Sequence, residues 1–273
     1  MTWQEGVADI ARRLREFWLI YRENRFGVAG LAMLTVFVVI AAAADYIAPY
    51  GEWELGVAPP FSPPSSEHLF GTDELGRDLY SLFVYGTRVS LVVGVLAAAL
   101  SAAIGGLVGL VSGYVGGWVD DLLMRVTEAF LSIPAIVLMI IFAAILGPSF
   151  TNIIIVIGVV SWAPIARVMR SQVLVVKELP YVEASKAVGA GRLRIMFRHV
   201  LPNVTPLLFA NMVLQVSNAV LAEAALSFLG LGDPHHTSWG MILHYAEVSG
   251  ALAAGYWWYA IPPGIGILLL VLS

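Results

Sequence analysis

Six stretches of this chain are apolar for long enough to approach the thickness of a bilayer: residues 27–47, 89–112, 129–147, 152–168, 204–222 and 256–273. A helix needs about 20 predominantly apolar residues to cross the hydrocarbon core, where every backbone N–H and C=O must find its partner inside the protein. The shorter runs, 152–168 above all, also suit buried helices of a soluble domain. What decides between the two is how little polar surface the remainder supplies. The chain of 273 residues is 59% hydrophobic and only 12% charged, whereas about a quarter of the residues in a soluble domain carry charge. The expected fold is an all-α membrane protein with six transmembrane helices.

Orientation follows from lysine and arginine, because basic loops stay on the cytoplasmic side. Of the 15 such residues all but Arg77 and Arg88 lie before the first run, between the second and third, or between the fourth and fifth. The acidic residues lean the other way, from Asp45 to Asp78 and at Glu223, Asp233 and Glu247. Both termini are therefore expected in the cytoplasm, with residues 1–25 as an N-terminal segment and 26–273 as the membrane domain. In the N-terminal segment Val7, Ile10, Leu14, Phe17, Trp18 and Tyr21 fall on one helical face, with Arg12, Arg13 and Arg15 elsewhere around it. That pattern suits a helix lying in the cytoplasmic interface; a solvated leader helix is the alternative, disfavoured by the tryptophan. Five arginines without an uninterrupted apolar core argue against a cleavable signal sequence, so the mature protein is expected to keep this segment. The chain has no cysteine, which excludes disulfide and thiolate chemistry and leaves any metal site to His, Asp or Glu.

In the second run Gly105, Gly109 and Gly113 recur at every fourth residue, a smooth stripe that lets another helix approach closely, within the bundle or from a partner subunit. The long connection from Arg167 to Asn203 is the least expected segment in such a chain, and its centre reads YVEASKAVGAG from Tyr181 to Gly191. Pro180 is placed to start a helix, since its missing N–H would be unpaired there anyway, and Gly189 can end it. A second short helix is expected from Gly191 until Pro202 stops it, exposing Arg192, Arg194 and Arg198. The elbow sets Glu183 and Lys186 three residues apart on one side, with Ala184, Ala187 and Ala190 around the rest. From composition alone, a surface hairpin that only joins two spans is the safer reading.

The stretch EASKAVGAGRLRIMFRHVLPN resembles the cytoplasmic signature of permease subunits in ATP-binding cassette importers. Glu183, Ala184, Gly189, Leu201 and Pro202 match; Ser185 stands where a second alanine is usual, and His199 where isoleucine is usual. Ahead of the second run, HLFGTDELGRDLYSLFVYGTRVSLVVG is similar to the extracytoplasmic signature of the dipeptide, oligopeptide and nickel permeases, in the C-type subunit usually encoded second. His68, Gly71, Thr72, Asp73, Gly76, Arg77, Asp78, Ser81, Gly86, Arg88 and Ser90 fit it, while Leu82 replaces a frequent arginine. Read from the residues themselves, Asp73, Arg77 and Asp78 could pair locally, which gives this loop a structural reading beside a receptor-contacting one. Further matches follow at Gly113, Gly117, Asp120, Arg125, Ser132 and Pro134, and at Glu223, Ser227 to Gly232, Pro234 and Ser238 to Met241.

The resemblance implies that residues 169–203 form a coupling loop, in which Tyr181, Glu183, Ala184, Ser185, Lys186, Gly189, Leu201 and Pro202 engage an ATPase subunit. It implies a homologous permease subunit, two ATPase subunits and an extracytoplasmic substrate-binding protein as partners, in the cytoplasmic membrane of a prokaryote. ATP and magnesium would reside on the ATPase subunits, with no cofactor in this chain and no nucleic acid involved. The cargo implied is a peptide, with oligosaccharides or nickel complexes as the other cargoes of the same machinery. Family members continue past the last span with a short cytoplasmic tail, so a natural protein slightly longer than Ser273 is expected.

The remaining residues support no catalytic set, and no phosphate-binding loop of the Walker type occurs, so ATP hydrolysis is not expected here. His68, His235, His236 and His244 read as surface residues of the outer loops rather than metal ligands. Ser161 and Trp162 in the fourth run, with Asn211, Gln215 and Asn218 in the fifth, are candidates for a substrate pathway. Asn211, Gln215 and Asn218 share one helical stripe that faces either that pathway or the partner subunit. Glu223, a carboxylate near membrane depth, faces a cavity or partner, or else sits at the interface. An ATP-independent secondary transporter is the rival reading, calling for inverted repeats or deep charges that are not evident; a membrane-embedded enzyme is a third, carried only by the histidines and Glu223.

Overall fold

The computed structural model describes residues 22–273, which are helical apart from their connections. The N-terminal interfacial helix expected before Tyr21 lies outside the described residues. The first described helix, α1 (Arg25–Ala42), is capped by the Asn24 side chain, which accepts from the N–H groups of Phe26 and Gly27. After a short α2 (Ala44–Ile47) a loop leads to α3 (Leu79–Val115), a single helix of 37 residues. At 1.5 Å per residue α3 is about 55 Å long, far more than a hydrocarbon core requires. It begins ten residues before the run seen in the sequence, because Asp78 caps it, accepting from the Ser81 N–H and hydroxyl. The polar residues that end the hydropathy signal, Ser81 and Thr87 among them, are buried against the outer loop instead of marking a membrane boundary.

The third run, 129–147, is not one span. It covers the end of α4 (Gly117–Ser132) and the whole of α5 (Ala135–Leu146), which meet at a bend of 90°. Pro134 lacks an N–H and forces the preceding residue out of helical conformation, and Ile133 accordingly lies at φ −106°, ψ 134°. The fourth run extends in both directions as α6 (Phe150–Val160) and α7 (Trp162–Val176), jointed only at Ser161. Pro164 accounts for that joint, since it has no hydrogen to give the carbonyl four residues back, at Val160.

The expected loop 169–203 contracts to residues 177–191, because helices grow into it from both ends. It contains α8 (Pro180–Ala187). Then α9 (Arg192–Ile195) passes through a π-helical turn, Met196–Val200, straight into α10 (Leu201–Leu226). Pro202 therefore does not stop the helix. The wider turn ahead of it, with the Leu201 N–H bonded to the Met196 carbonyl, absorbs the donor that proline removes. A second π turn, Ser227–Leu231, leads to α11 (Trp239–Val248) in the outer loop and to α12 (Trp257–Leu272). Among the described residues four helices or continuous helical runs are long and apolar enough to cross a membrane, and the bent α4–α5 pair makes a fifth. The sixth expected span, α12, has 16 residues, short of the roughly 20 a full crossing takes.

α3 is the axis of the bundle. Its Gly105, Gly109 and Gly113 face α7, where the added Cβ of an alanine would lie 2.5 Å from the Trp162 carbonyl oxygen, 2.5 Å from that of Ala166 and 2.9 Å from that of Arg170. The stripe is thus used within the bundle, backbone against backbone. On the outer side Trp239 is fully buried, stacks on Phe83 and donates to its carbonyl at 3.0 Å. The loop before α3 is held by its own charges, a buried Asp73–Arg77 pair and His68 at 3.0 Å from Asp78. Local pairing is thus present in that loop, with His68 as the partner of Asp78.

Candidate functional site

Two features invite a functional reading, the elbow at α8 and an open cavity beside the α4–α5 bend. Pro180 occupies the first turn of α8 and Gly189 terminates it at φ +80°, a left-handed conformation that glycine adopts without steric cost. Val182 is the one fully buried residue of α8 and joins the cluster of Leu110, Val173, Val176, Ile195, Met196 and Val200 from α3, α7 and the α9–α10 run. The elbow is therefore pinned to three long helices at once.

Its other faces are uncovered. Val188 is 85% exposed and Leu193 69%, with Leu179, Tyr181 and Phe197 also exposed nearby, a set of large apolar side chains around one corner that a solvated hairpin has no reason to present. Glu183 and Lys186 pair at 2.7 Å on the exposed side, and the carboxylate raises the Lys186 pKa above its ordinary value. Ala184 is exposed, Ser185 turns its hydroxyl to the Tyr181 carbonyl at 2.8 Å, and Leu201 and Pro202 lie past the π turn at the start of α10.

A second contact set, at the same end of the bundle as α8, ties the helices together. Arg170 of α7 grips Asp120 of α4 with two hydrogen bonds of 2.6 Å, the Ser112 hydroxyl of α3 donates to the same carboxylate, and Lys177 donates to the Gly113 carbonyl at 3.0 Å. Bidentate guanidinium–carboxylate geometry of this kind fixes orientation as well as distance.

The cavity, about 730 Å³, opens beside the bend between α4 and α5. Phe130 to Ile136 form one wall, Ser161 and Pro164 a second, and Gln215 and Asn218 of α10 a third. Three of the residues expected on a pathway thus share one space. The others do not. Trp162 lies behind the wall, edge-on to Phe130 with ring centres 5.3 Å apart. Asn211 turns its amide to the Leu207 carbonyl at 2.8 Å, one turn from Gln215 and two from Asn218 along α10. Glu223 is 1% exposed and points away from the cavity, accepting from the Ser227 hydroxyl at 2.7 Å and from Ser90 of α3 at 3.4 Å. The bend itself escaped sequence reading; the Ile133–Pro134 dipeptide inside an apolar run was the available signal.

The outer histidines each have a local partner. His235 and His236 both meet Asp233, at 3.3 and 3.0 Å, and His244 meets the Phe228 carbonyl at 2.9 Å. His235 and His236 thus share one carboxylate, that of Asp233. Among the described residues no three His, Asp or Glu side chains are placed to hold a metal ion.

Residues 105–273 match the family model of the inner membrane component of binding-protein-dependent transport systems, and residues 12–64 match that of the N-terminal transmembrane domain of oligopeptide transport permease C. The chain is 42% identical over 267 residues to the dipeptide transport system permease protein DppC of Escherichia coli strain K12, covering 95% of this chain and 88% of the relative. It is 36% identical over 256 residues to the protein of the same name from Bacillus subtilis strain 168, covering 93% and 79%. A di/tripeptide transport system permease protein of Pseudomonas aeruginosa strain UCBPP-PA14 is 38% identical, covering 95% and 87%. Among solved structures, an inward facing conformation of the MetNI methionine ABC transporter superposes with a TM-score of 0.52 at 20% identity, covering 69% of this chain and 96% of that one. At that identity the likeness speaks for the fold alone.

Proposed function

The chain belongs to the family of inner membrane components of binding-protein-dependent transport systems, and from that membership and the shape of its cytoplasmic elbow we propose how it works. It is the transmembrane permease subunit of an ABC importer for short peptides, a multi-pass membrane protein with no catalytic chemistry of its own. A homologous permease subunit completes the pathway, two ATPase subunits bind ATP and magnesium, and an external substrate-binding protein delivers the cargo. Both termini face the cytoplasm.

One observation carries the mechanical part of this reading: α8 is anchored at Val182 to α3, α7 and the α9–α10 run while its apolar corner around Val188 is bare. A partner that grips this corner moves three long helices together. The residues that would meet the ATPase are Tyr181, Glu183, Ala184, Ser185, Lys186 and Gly189, with Leu201 and Pro202 transmitting the movement into α10. The same displacement changes the walls of the cavity beside Pro134, because α7 and α10 supply Ser161, Gln215 and Asn218 to it. Two packings of these helices, one open to each side, are the states whose balance ATP binding shifts.

The test uses the complete importer in lipid vesicles. Val188→Glu, Glu183→Arg and Gly189→Arg should each leave the protein inserted and abolish peptide uptake, together with the stimulation of ATP hydrolysis by loaded receptor. Uptake with normal coupling in all three variants would show that the elbow is not the ATPase contact.

A further inference from the structure

Below the central cavity, between α4 and α7, lies a second one of about 550 Å³, lined by Asp121, Met124, Arg125, Glu128, Arg167 and Arg170. That volume is in the range that holds a small ligand. The two cavities have walls from the same helices, α4 and α7. On α7 the lining residues run Ser161, Pro164, Arg167 and Arg170, three apart and down one side of the helix; on α4 the lining passes from Phe130–Ser132 to Glu128, Arg125 and Asp121. The lining of the first is mostly apolar and that of the second almost wholly charged.

The charges of the second cavity fall into two kinds. Arg170 is committed along one edge, its Nε and one Nη donating to the two oxygens of Asp120. Arg125 and Arg167 are exposed, and among the described residues neither has an ion pair or hydrogen bond. That is unexpected for Arg125, which has Asp121 four residues before it and Glu128 three after, the spacings at which helical ion pairs form. Neither carboxylate lies within 4.0 Å of it. Asp121 acts on Arg170 through its charge but makes no ion pair or hydrogen bond with it, so two guanidinium groups and two carboxylates without direct partners offer both halves of a complementary site for a molecule carrying one anionic and one cationic end. Guanidinium is well suited to the anionic half, since its planar fork matches a carboxylate.

We propose that this charged cleft is the exit vestibule of the pathway, where Arg125 and Arg167 receive the carboxylate of a short zwitterionic peptide and Asp121 and Glu128 its ammonium group. The inference rests on the reading of the chain as a peptide permease. Water competes for every one of these charges, so binding is weak, as release to the cytoplasm requires. A cargo arriving through the apolar cavity finds here the groups that replace its lost hydration, at the end from which it leaves.

The chain has no cysteine, so Met124→Cys places a single reporter thiol of this subunit in the cleft. The complete importer, reconstituted without receptor or nucleotide, is treated from the cytoplasmic face with a membrane-impermeant maleimide, and labelling of this chain is followed by gel shift. Free dialanine should slow labelling at least threefold, N-acetyl-dialanine amide should leave it unchanged, and Arg125→Gln with Arg167→Gln should remove the protection. Equal protection by the blocked peptide, or none by dialanine, overturns the vestibule. Uptake by the Gln variants gives an independent check, since both arginines are uncommitted and their loss should spare assembly: turnover should fall several-fold at unchanged receptor affinity, and unchanged turnover also overturns the proposal. Peptide uptake by the unaltered complex separates the two levels, because its absence would refute the permease reading itself, while uptake without protection refutes only the vestibule.

Discussion

Gly109→Ala adds one methyl group to the α3–α7 seam, and the structure sets what that methyl meets: the Ala166 carbonyl oxygen at 2.5 Å, the Met169 Cβ at 2.6 Å and the Arg170 nitrogen at 2.9 Å. Carbon atoms in good contact sit about 3.5–4.0 Å apart, so α7 has to retreat by about 1 Å. The obstacles are backbone and Cβ atoms, which cannot rotate out of the way. Nor can α7 tilt locally, because Gly105 and Gly113 hold it as closely one turn to either side. The retreat therefore loosens the whole seam, including the fully buried Leu110, Met169 and Val173. Because the obstacles are backbone and Cβ atoms, overpacking here falls in the upper part of its usual range, about 2–3 kcal/mol, and the better helix propensity of alanine returns about 1 kcal/mol, leaving a net loss of about 1–2 kcal/mol. Gly264→Ala in α12 is the matched control, since its added methyl meets nothing within 4 Å; only propensity acts there, with a gain of up to about 1 kcal/mol. In a thermal melt of the purified complex followed by size-exclusion chromatography, Gly109→Ala should lower the midpoint by about 2–8 °C and Gly264→Ala should hold or raise it. A gain at Gly109 equal to that at Gly264 would refute the close-seam account.

Other perturbations test the polar contacts. Glu223→Gln keeps a hydrogen-bonding group between Ser90 and Ser227 and should melt within about 1 kcal/mol of the parent, whereas Glu223→Ala strands buried hydroxyls beside a cavity and should lose about 2–4 kcal/mol. Asp120→Ala removes the partner of Arg170, a pair partly open to solvent, so the expected loss of stability is about 1–3 kcal/mol, below that of a fully buried pair. Asp233 accepts from the Phe150 N–H at the start of α6. Burial raises its pKa, but the N–H groups of His235 and Phe150 and the His236 ring outweigh this and hold the carboxyl below its ordinary range. A depressed folded-state value means stability that is complete above the unfolded pKa of about 4 and lost as pH falls through the folded one. Melting midpoints should therefore be steady above about pH 5 and fall in acid, and Asp233→Ala, lower at neutral pH by about 0.5–2 kcal/mol, should lose its own share of that acid dependence and keep the share that Asp45 and Asp120 supply.

What could be read without coordinates was whatever depends on short-range pattern. Apolar runs specify membrane helices because lipid leaves the backbone no other partner, Pro180 and Gly189 bracket a helix because of their own backbone chemistry, and the glycine stripe marks a close helix contact because it lacks side chains. The motifs around Glu183 and Asp73 carried the family. Where sequence reading failed, it had weighed hydropathy above local backbone chemistry or could not see a distant contact. Helix α3 runs on past its apolar stretch because a loop far back in the chain covers its polar turns, α10 runs through Pro202 because a π turn ahead of it supplies the missing geometry, and the run at 129–147 breaks at Pro134. Hydropathy sums residues one by one and is blind to which of them will face another helix. Only the tertiary structure could therefore choose Ser161, Gln215 and Asn218 over Asn211, Trp162 and Glu223 as walls of one cavity, and only there do Arg125 and Arg167, 42 residues apart in the chain, come to share a cleft.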